Sequence, residues 1–598
     1  MIKKPLHTFH IPVMGLAYTI DSPIRVAQYG ISSVVSIIDD EIVEKMKNFY
    51  NRKFNLSYQE ISAKTEDYRA RRITDYLNLM DEIISRKFET LKDEVSKSRE
   101  SLQQFMSLIP QYSELKKGLT EFLNQGDFLS SHIKNFLEEN FSPGNIDVNI
   151  MTKVDKDNYK NNEQLPVIFN DAHASLRGFA KSRLSSSLVL SAGMNPRLYS
   201  YIEEFDDFYP DSNNFIKKKI ILKVSDFRSA MIQGNFLAKK GLWVSEYRIE
   251  SGLNCGGHAF ATDGLLLGPI LEEFKTKKME LVSSSHSLMI KSLEQKGRYK
   301  PSEPLDLQVT VQGGVGTAEE HQFLLDNYEI SSVGWGSPFL LVPEATCVDQ
   351  ETRNLLAESK EKDYYLSNIS PLGVPFNTVK GTSNELIRRR KEAKNKFGSS
   401  CPKKLLALSK EYSPQGICTA SKKYQDIKIS ELESQKESLS NQQFLSKKTE
   451  ITEKACLCVG LVNSAYIDND IEIKGEKQGV VICPGPNLAY FDREVRLSEM
   501  VQHIYGNGNV ISDKNRPNVF INELKMYIRH LEKEMAEFPE PTVSQKKKWK
   551  TFKSNILEGI AYYKMLFRKT SFFLKDREKI MDQLNILENE FLILTSSL

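Results

Sequence analysis

Three times between residues 242 and 340 the chain repeats one local pattern, a strand-like run, a glycine-rich turn and a helix-like run. Leu242-Trp-Val-Ser-Glu-Tyr-Arg-Ile249 leads into Glu250-Ser-Gly-Leu-Asn-Cys-Gly-Gly-His258, closes at Gly264, and gives way to helical Leu265–Phe274. Leu307–Gln312 alternates apolar and polar residues, ends in Gly313-Gly-Val-Gly316, and is followed by the amphipathic Ala318–Leu325. Ile330–Leu340 brings the third unit, with Gly334 and Gly336 at its turn. Glycines at a strand-to-helix junction let the backbone lie against a ligand where a Cβ would collide. Gly-Gly-His also occurs in ordinary turns, so the first unit alone decides little. The second and third together offer bare backbone N–H groups at two adjacent strand ends, Gly313, Gly314, Gly336 and Ser337. In a closed parallel barrel the loops after strands seven and eight are where a phosphate is held.

The rest of the chain supplies the missing strands. Phe9–Met14 reads as strand one, Ser22–Gly30 as a short helix with Ser22 as cap and Pro23 at its first position, and Ile31–Ile38 as strand two. Ile146–Lys153, Ser187–Gly193 and Lys219–Ser225 are strands three to five, with helices at 172–181, 196–208 and 228–238 between them and strand six. Eight strands, each but the second followed by a short helix, predict an α/β fold of the (β/α)8 TIM-barrel type over residues 1–38 and 141–385. Residues 39–140 are charge-rich with apolar residues at helical spacing, including Tyr76, Met80, Ile84, Phe88 and Leu91. They read as a helical insertion after strand two, a lid or an oligomer contact without chemistry. Residues 386–500 read as a cysteine-containing irregular region, with a linker at Glu431–Lys448, and 501–598 as a mostly helical C-terminal domain of three helices.

Composition narrows the function classes. At 598 residues the chain exceeds one compact core. A net charge of +3 with 27% charged residues gives no basic face for nucleic acid. Met1–His7 is basic but lacks an apolar stretch behind it, and no run of about 18 apolar residues occurs, which predicts a soluble, unexported, cytoplasmic protein with no membrane partner. Five of the seven cysteines fall between 401 and 483. Cys401, Cys418, Cys456 and Cys458, with Cys483 as substitute, are candidate ligands for an iron-sulfur cluster or zinc, although the Cys-x-x-Cys knuckles such sites favour are absent. Separate buried thiols are the alternative.

In order along the chain, Pro12-Val-Met14-Gly15, Gly256-Gly-His258, Gly313-Gly-Val-Gly316 and Gly336-Ser-Pro-Phe339 resemble the motifs of the nitronate monooxygenase, or 2-nitropropane dioxygenase-like, FMN-dependent flavoproteins. The likeness spans about residues 6–380. Ser337 stands where that family usually has Thr, Pro338 where it often has Arg, and Ala259 where Gly often follows the His. The resemblance implies FMN, its phosphate on the N–H groups of Gly313, Gly314, Gly336 and Ser337, its ring near Met14, Gly15 and Asn149, and Gly256 and Gly257 against it. It makes His258, whose ordinary pKa lies near neutrality, the catalytic base for a small carbon acid or nitronate, with O2 reoxidising the flavin as in a monooxygenase. The same motifs, with Val148-Asn-Ile-Met151, also resemble flavin-dependent enoyl-acyl-carrier-protein reductases and the reductase of polyketide-like polyunsaturated fatty acid synthases. A non-enzymatic barrel scaffold binding a partner through its helices is the reading from another class. Cys255, beside the glycines, reads as a buried, inert thiol.

Overall fold

The computed structural model describes residues 5–124, 130–191, 193–472, 479–513 and 515–598, so the basic start at Met1–Lys4 and Ala192 at the end of the fourth strand-like run lie outside the described residues. Eight parallel strands close in sequence order: β1 Phe9–Ile11, β2 Ser32–Ser36, β3 Ile146–Ile150, β4 Ser186–Leu190, β5 Lys218–Val224, β6 Val244–Glu250, β7 Gln308–Gln312 and β8 Ser332–Gly334. β8 pairs back onto β1 through Phe9–Val333 and His10–Gly334, which completes the TIM barrel. β1 is shorter than its apolar run because Pro12 has no N–H to continue the ladder.

Strand periodicity divides each strand between two environments. In β5, Ile220, Leu222 and Val224 join the main core, while Ile221 joins a small cluster with Val34 and Val189. A buried polar layer crosses the barrel beside it. Arg248 Nε donates to Glu246 Oε1 at 2.8 Å, Arg248 lies 3.5 Å from Asp147 Oδ2, and Thr310 Oγ1 donates to Glu246 at 2.5 Å. Buried charges are tolerated only when paired in this way.

The segment after β2 forms five helices, Asp40–Lys53, Tyr68–Lys97, Arg99–Ser107, Glu114–Asn124 and Ser130–Asn140. The 30-residue Tyr68–Lys97 serves two cores. Its Ile73, Tyr76, Leu77 and Met80 belong to the main core, while Phe88 and Val95 belong to a separate one with Leu102, Phe105, Leu119 and Leu137. Its first half lies against the helix Asp171–Lys181, where Thr74 Oγ1 donates to Gly178 O at 2.9 Å and Arg177 pairs with Asp67. That half is thus the outer helix a barrel needs between β2 and β3, and only the remainder is additional.

Two sequence readings are corrected here. Ser22 does not cap its helix: Asp21 precedes Ser22–Val26, and Ser22 Oγ instead donates to Ala345 O at 2.5 Å. The stretch read as a linker at Glu431–Lys448 is largely helical, in Lys422–Ser434 and Asn441–Thr452, because Ser421 and Ser440 accept from the backbone N–H groups of Tyr424 and Gln443 and start the two helices. The region read as irregular also holds helices Leu457–Asp468 and Leu497–Ile504. An antiparallel hairpin, β9 Tyr364–Ser367 and β10 Phe376–Val379, leads out of the barrel. The last three helices, Val519–Glu537, Val543–Lys569 and Arg577–Leu594, share the main core with the barrel. Phe323 of the helix Ala318–Tyr328 meets the rings of Phe520, Phe572 and Phe573 at 6.0, 5.5 and 5.1 Å. Among the described residues no helix is long and apolar enough to cross a membrane.

Candidate active site

The strand ends that carry the glycine turns surround a cavity of about 960 Å3. That is near the upper end of ordinary ligand cavities, roughly 300–1,000 Å3. Side chains at the ends of four strands meet in it: Asn149 of β3, Lys223 of β5, Glu250 of β6 and Gln312 of β7. Glu250 Oε1 takes both the Lys223 ammonium at 3.0 Å and the Gln312 amide at 2.7 Å. Asn149 Oδ1, Gln312 Oε1 and Asn254 Nδ2 are buried around the same cavity without a hydrogen-bond partner. An unpaired buried amide atom costs about 1–3 kcal/mol, so three aimed at one space point to a polar ligand that pairs with them.

The paired glycines of the central loop serve different purposes. A Cβ on Gly256 would stand 2.4 Å from Cys483 O, so this residue must be bare for another backbone to pass. Gly257 has φ +78° and nothing within 4 Å of where a Cβ would stand, so it presents bare backbone to open space. The backbone that passes Gly256 is Val481–Asn487, a strap across the barrel mouth. Tyr18 OH donates to Val481 O, Thr378 Oγ1 to Ile482 O at 3.0 Å and Gly257 N–H to Cys483 O at 3.1 Å. Gly485 N–H donates to Ser337 Oγ at 2.7 Å and Asn487 Nδ2 to Val315 O at 3.0 Å. One strap thereby ties together the loops after β1, β6, β7 and β8. Arg516 backs the glycine turn from behind, donating to Gly314 O and Asn487 Oδ1 and pairing with Glu320 at 2.8 Å.

His258 Nε2 is 2.7 Å from the Ser370 hydroxyl, and its ring meets Phe376 edge-on at 5.0 Å. Asn377 N–H donates to Gly257 O at 2.8 Å and Ala259 N–H to Pro375 O at 3.0 Å, so β10 splints the loop that carries the imidazole. Burial, and then the neighbouring Lys153 charge, lower the His258 pKa to about 4. The ring is neutral across the physiological range. Lys153 also lines the cavity, its ammonium 4.2 Å from the centre of the Phe260 ring. Cys255 is half-buried beside the Gly313 turn, and burial pushes its thiol well above its ordinary range, so it is protonated.

All ten positions singled out in the sequence, Met14, Gly15, Asn149, Gly256, Gly257, His258, Gly313, Gly314, Gly336 and Ser337, line this one cavity. The cysteines expected to bind metal do not assemble a centre: among the described residues no three His, Cys, Asp or Glu side chains converge to hold an ion. Cys456 caps the helix Leu457–Asp468 and Cys458 lies in its first turn, and residues two apart on a helix turn to different sides. Cys483 sits in the strap at the cavity wall. Sequence reasoning missed the strap, Ser370, Lys153, Lys223, Glu250 and Gln312. The Cys483-Pro-Gly-Pro486 stretch was the available signal for the strap, since glycine between prolines marks a stiff segment with one point of close approach. A Cβ on Gly485 would indeed stand 2.5 Å from Asn254 O.

No family model matches the chain, and no curated protein does. Among solved structures, a FabK mutant from Thermotoga maritima is similar at 10% identity over 63% of this chain and 78% of that one, with a TM-score of 0.30. The enoyl reductase domain of MlnA from the macrolactin biosynthesis cluster of Bacillus amyloliquefaciens is similar at 14% identity over 63% of this chain and 83% of that one, with a TM-score of 0.31. At these scores the fold of this chain rests on its own strand pairing.

Proposed function

We propose that this chain is a flavin-dependent oxidoreductase that holds FMN across the barrel mouth and oxidises a small carbon acid of the nitronate type, with O2 as final acceptor. The observation that carries this reading is that two glycine turns, three unpartnered amide atoms and a neutral imidazole face one cavity. FMN suits that set: the N–H groups of Gly313, Gly314, Gly336 and Ser337 would take the phosphate, and Asn149, Gln312 and Asn254 have amide atoms left to pair with polar ring edges. When bound, flavin supplies the two-electron acceptor that no side chain provides.

The chain's own groups handle charge and protons. Ser370 Oγ accepts from Leu372 N–H at 3.2 Å, and with Nε2–H of His258 donated to the same oxygen the lone pair lies on Nδ1, free to take a substrate proton. Lys153 and Lys223 add positive charge for an anionic substrate. The strap and β10 fix the loop that holds the imidazole, so its geometry is set before substrate arrives.

A second reading, reduction of an enoyl thioester, is favoured by the rim. Ile232, Phe260 and Leu265 line the cavity yet are 54%, 42% and 36% exposed, an apolar mouth suited to an acyl chain. Anaerobic mixing of the FMN-loaded chain with a short alkyl nitronate, and separately with reduced nicotinamide, discriminates the two: the nitronate bleaches the flavin under the first reading, nicotinamide under the second. In either case His258→Ala should keep its flavin and slow substrate turnover by about two to four powers of ten. Unchanged turnover in that variant would remove His258 from the mechanism.

A further inference from the structure

Away from the cavity, residues 399–401 run beside residues 418–422. Ser399 N–H donates to Ala420 O at 3.0 Å, Lys422 N–H to Ser399 O at 2.9 Å, and Ser421 N–H closes a turn on Cys418 O at 2.9 Å. This juxtaposition places the thiols of Cys401 and Cys418 in a hydrogen bond. They are not equivalent. Cys401 is half-buried with Lys404 and Lys156 nearby, whereas Cys418 is buried with Cys458 behind it.

We propose that Cys401 and Cys418 form a peroxide-reactive dithiol, with Cys401 as attacking thiolate and Cys418 as resolving thiol. The hydrogen bond from Cys418, with Lys404 N–H and the two lysine charges, holds the Cys401 thiol down at about 7 against the opposing effect of burial, while the same contact and burial push Cys418 up. Cys401 Sγ attacks one oxygen of the peroxide, the O–O bond breaks, and the departing hydroxide takes a proton to become water, which leaves a sulfenic acid on Cys401. Cys418 Sγ then attacks that sulfur, the S–O bond breaks, and the Cys418 thiol proton leaves with the hydroxyl as a second water. Two thiols and one hydrogen peroxide give one disulfide and two waters; the sulfurs together lose two electrons and the peroxide oxygens gain them.

The pair is connected to the site already described. Thr419 Oγ1 donates to Pro371 O at 3.2 Å, one residue from the Ser370 that holds His258, and Ala455 N–H donates to Ile369 O at 2.9 Å on the other side of it. Closing the disulfide therefore acts on the wall that props the imidazole. The proposal does not depend on the flavin reading, because any peroxide serves as oxidant.

The full-length reduced chain, with and without added FMN, is treated anaerobically with one equivalent of hydrogen peroxide at pH 7, alkylated and mapped by peptide mass. The expected product is a Cys401–Cys418 disulfide. A thiol at 7 instead of 9 gains about fifty-fold in thiolate fraction at pH 7 and loses about eight-fold in nucleophilicity, so iodoacetamide should label Cys401 about six-fold faster than an ordinary thiol. Cys418→Ser should stop the reaction at a sulfenic acid on Cys401, trapped by dimedone, and Cys401→Ser should abolish the fast reaction. A disulfide joining Cys401 to Cys458, labelling of Cys401 no faster than free cysteine, or cross-linking only after unfolding in urea would each overturn the proposal. The readout is a peptide mass, so a chain that bound no flavin would leave this result untouched.

Discussion

Replacing Glu523 by Gln removes a titrating group from beneath the site while keeping its shape. Glu523 is 1% exposed on the helix Val519–Glu537, where it accepts from Ser251 Oγ at 2.6 Å, Leu267 N–H at 2.8 Å and Tyr563 OH at 3.4 Å. Ser251 and Leu267 bracket the loop that carries His258. Burial raises the carboxyl from 4.5 to about 7. A carboxyl raised on folding holds its proton more tightly in the folded state, so the stability it contributes is fully present below pH 4.5 and is lost as pH rises through 7. At about 1.4 kcal/mol per pKa unit, the loss by pH 9 is about 3 kcal/mol. A Gln cannot ionise; its oxygen can accept from Leu267 N–H and its amide can donate to Ser251 Oγ, since a hydroxyl both gives and takes. Thermal unfolding of both proteins at pH 5, 7 and 9 therefore has a defined outcome: the stability of wild type relative to Glu523→Gln falls by about 3 kcal/mol between pH 5 and 9. Parallel pH profiles for the two proteins would refute the assignment of a buried, protonated carboxyl at this position.

Gly257→Ala should cost about 1–2 kcal/mol for its positive φ yet fold, while its methyl, entering the open cavity, weakens FMN at least about tenfold in equilibrium dialysis. Gly256→Ala should behave differently, because its methyl meets Cys483 O and must displace the strap; proteolysis within 481–487 should accelerate in this variant and not in Gly257→Ala. Leu119→Ala, fully buried in the second core, should cost about 2–5 kcal/mol in that core while leaving FMN affinity unchanged, as hydrogen exchange along Glu114–Asn124 and a flavin titration would show.

The barrel was legible because its strands carry a local signal. Ile220, Leu222 and Val224 alternate with Lys219, Ile221 and Lys223, and glycines mark the strand ends where the chain turns to meet a ligand. What stayed hidden is set by partners far away in sequence. Gly485 is conspicuous only once Asn254 O lies 2.5 Å from where its Cβ would be, and Ser370 is an ordinary loop serine until His258 lies 2.7 Å from it. Glu523 looks like the polar side of an amphipathic helix, yet it is buried because Ser251 and Leu267 N–H supply donors for it. The cysteines mislead for the opposite reason: their crowding in sequence suggests a shared ion, but helix geometry separates Cys456 from Cys458, and only Cys401 and Cys418 meet.

Flavin binding tests the central claim most directly. The full-length chain is incubated with FMN, freed of excess by gel filtration, and its visible spectrum is recorded beside a fluorescence titration. The account predicts one FMN retained per chain, with flavin absorption bands that are lost on unfolding and weakened in Gly257→Ala. A chain that emerges without flavin bands after that treatment, and leaves FMN fluorescence unchanged through the titration, would contradict the proposed oxidoreductase and favour a barrel that serves as a scaffold.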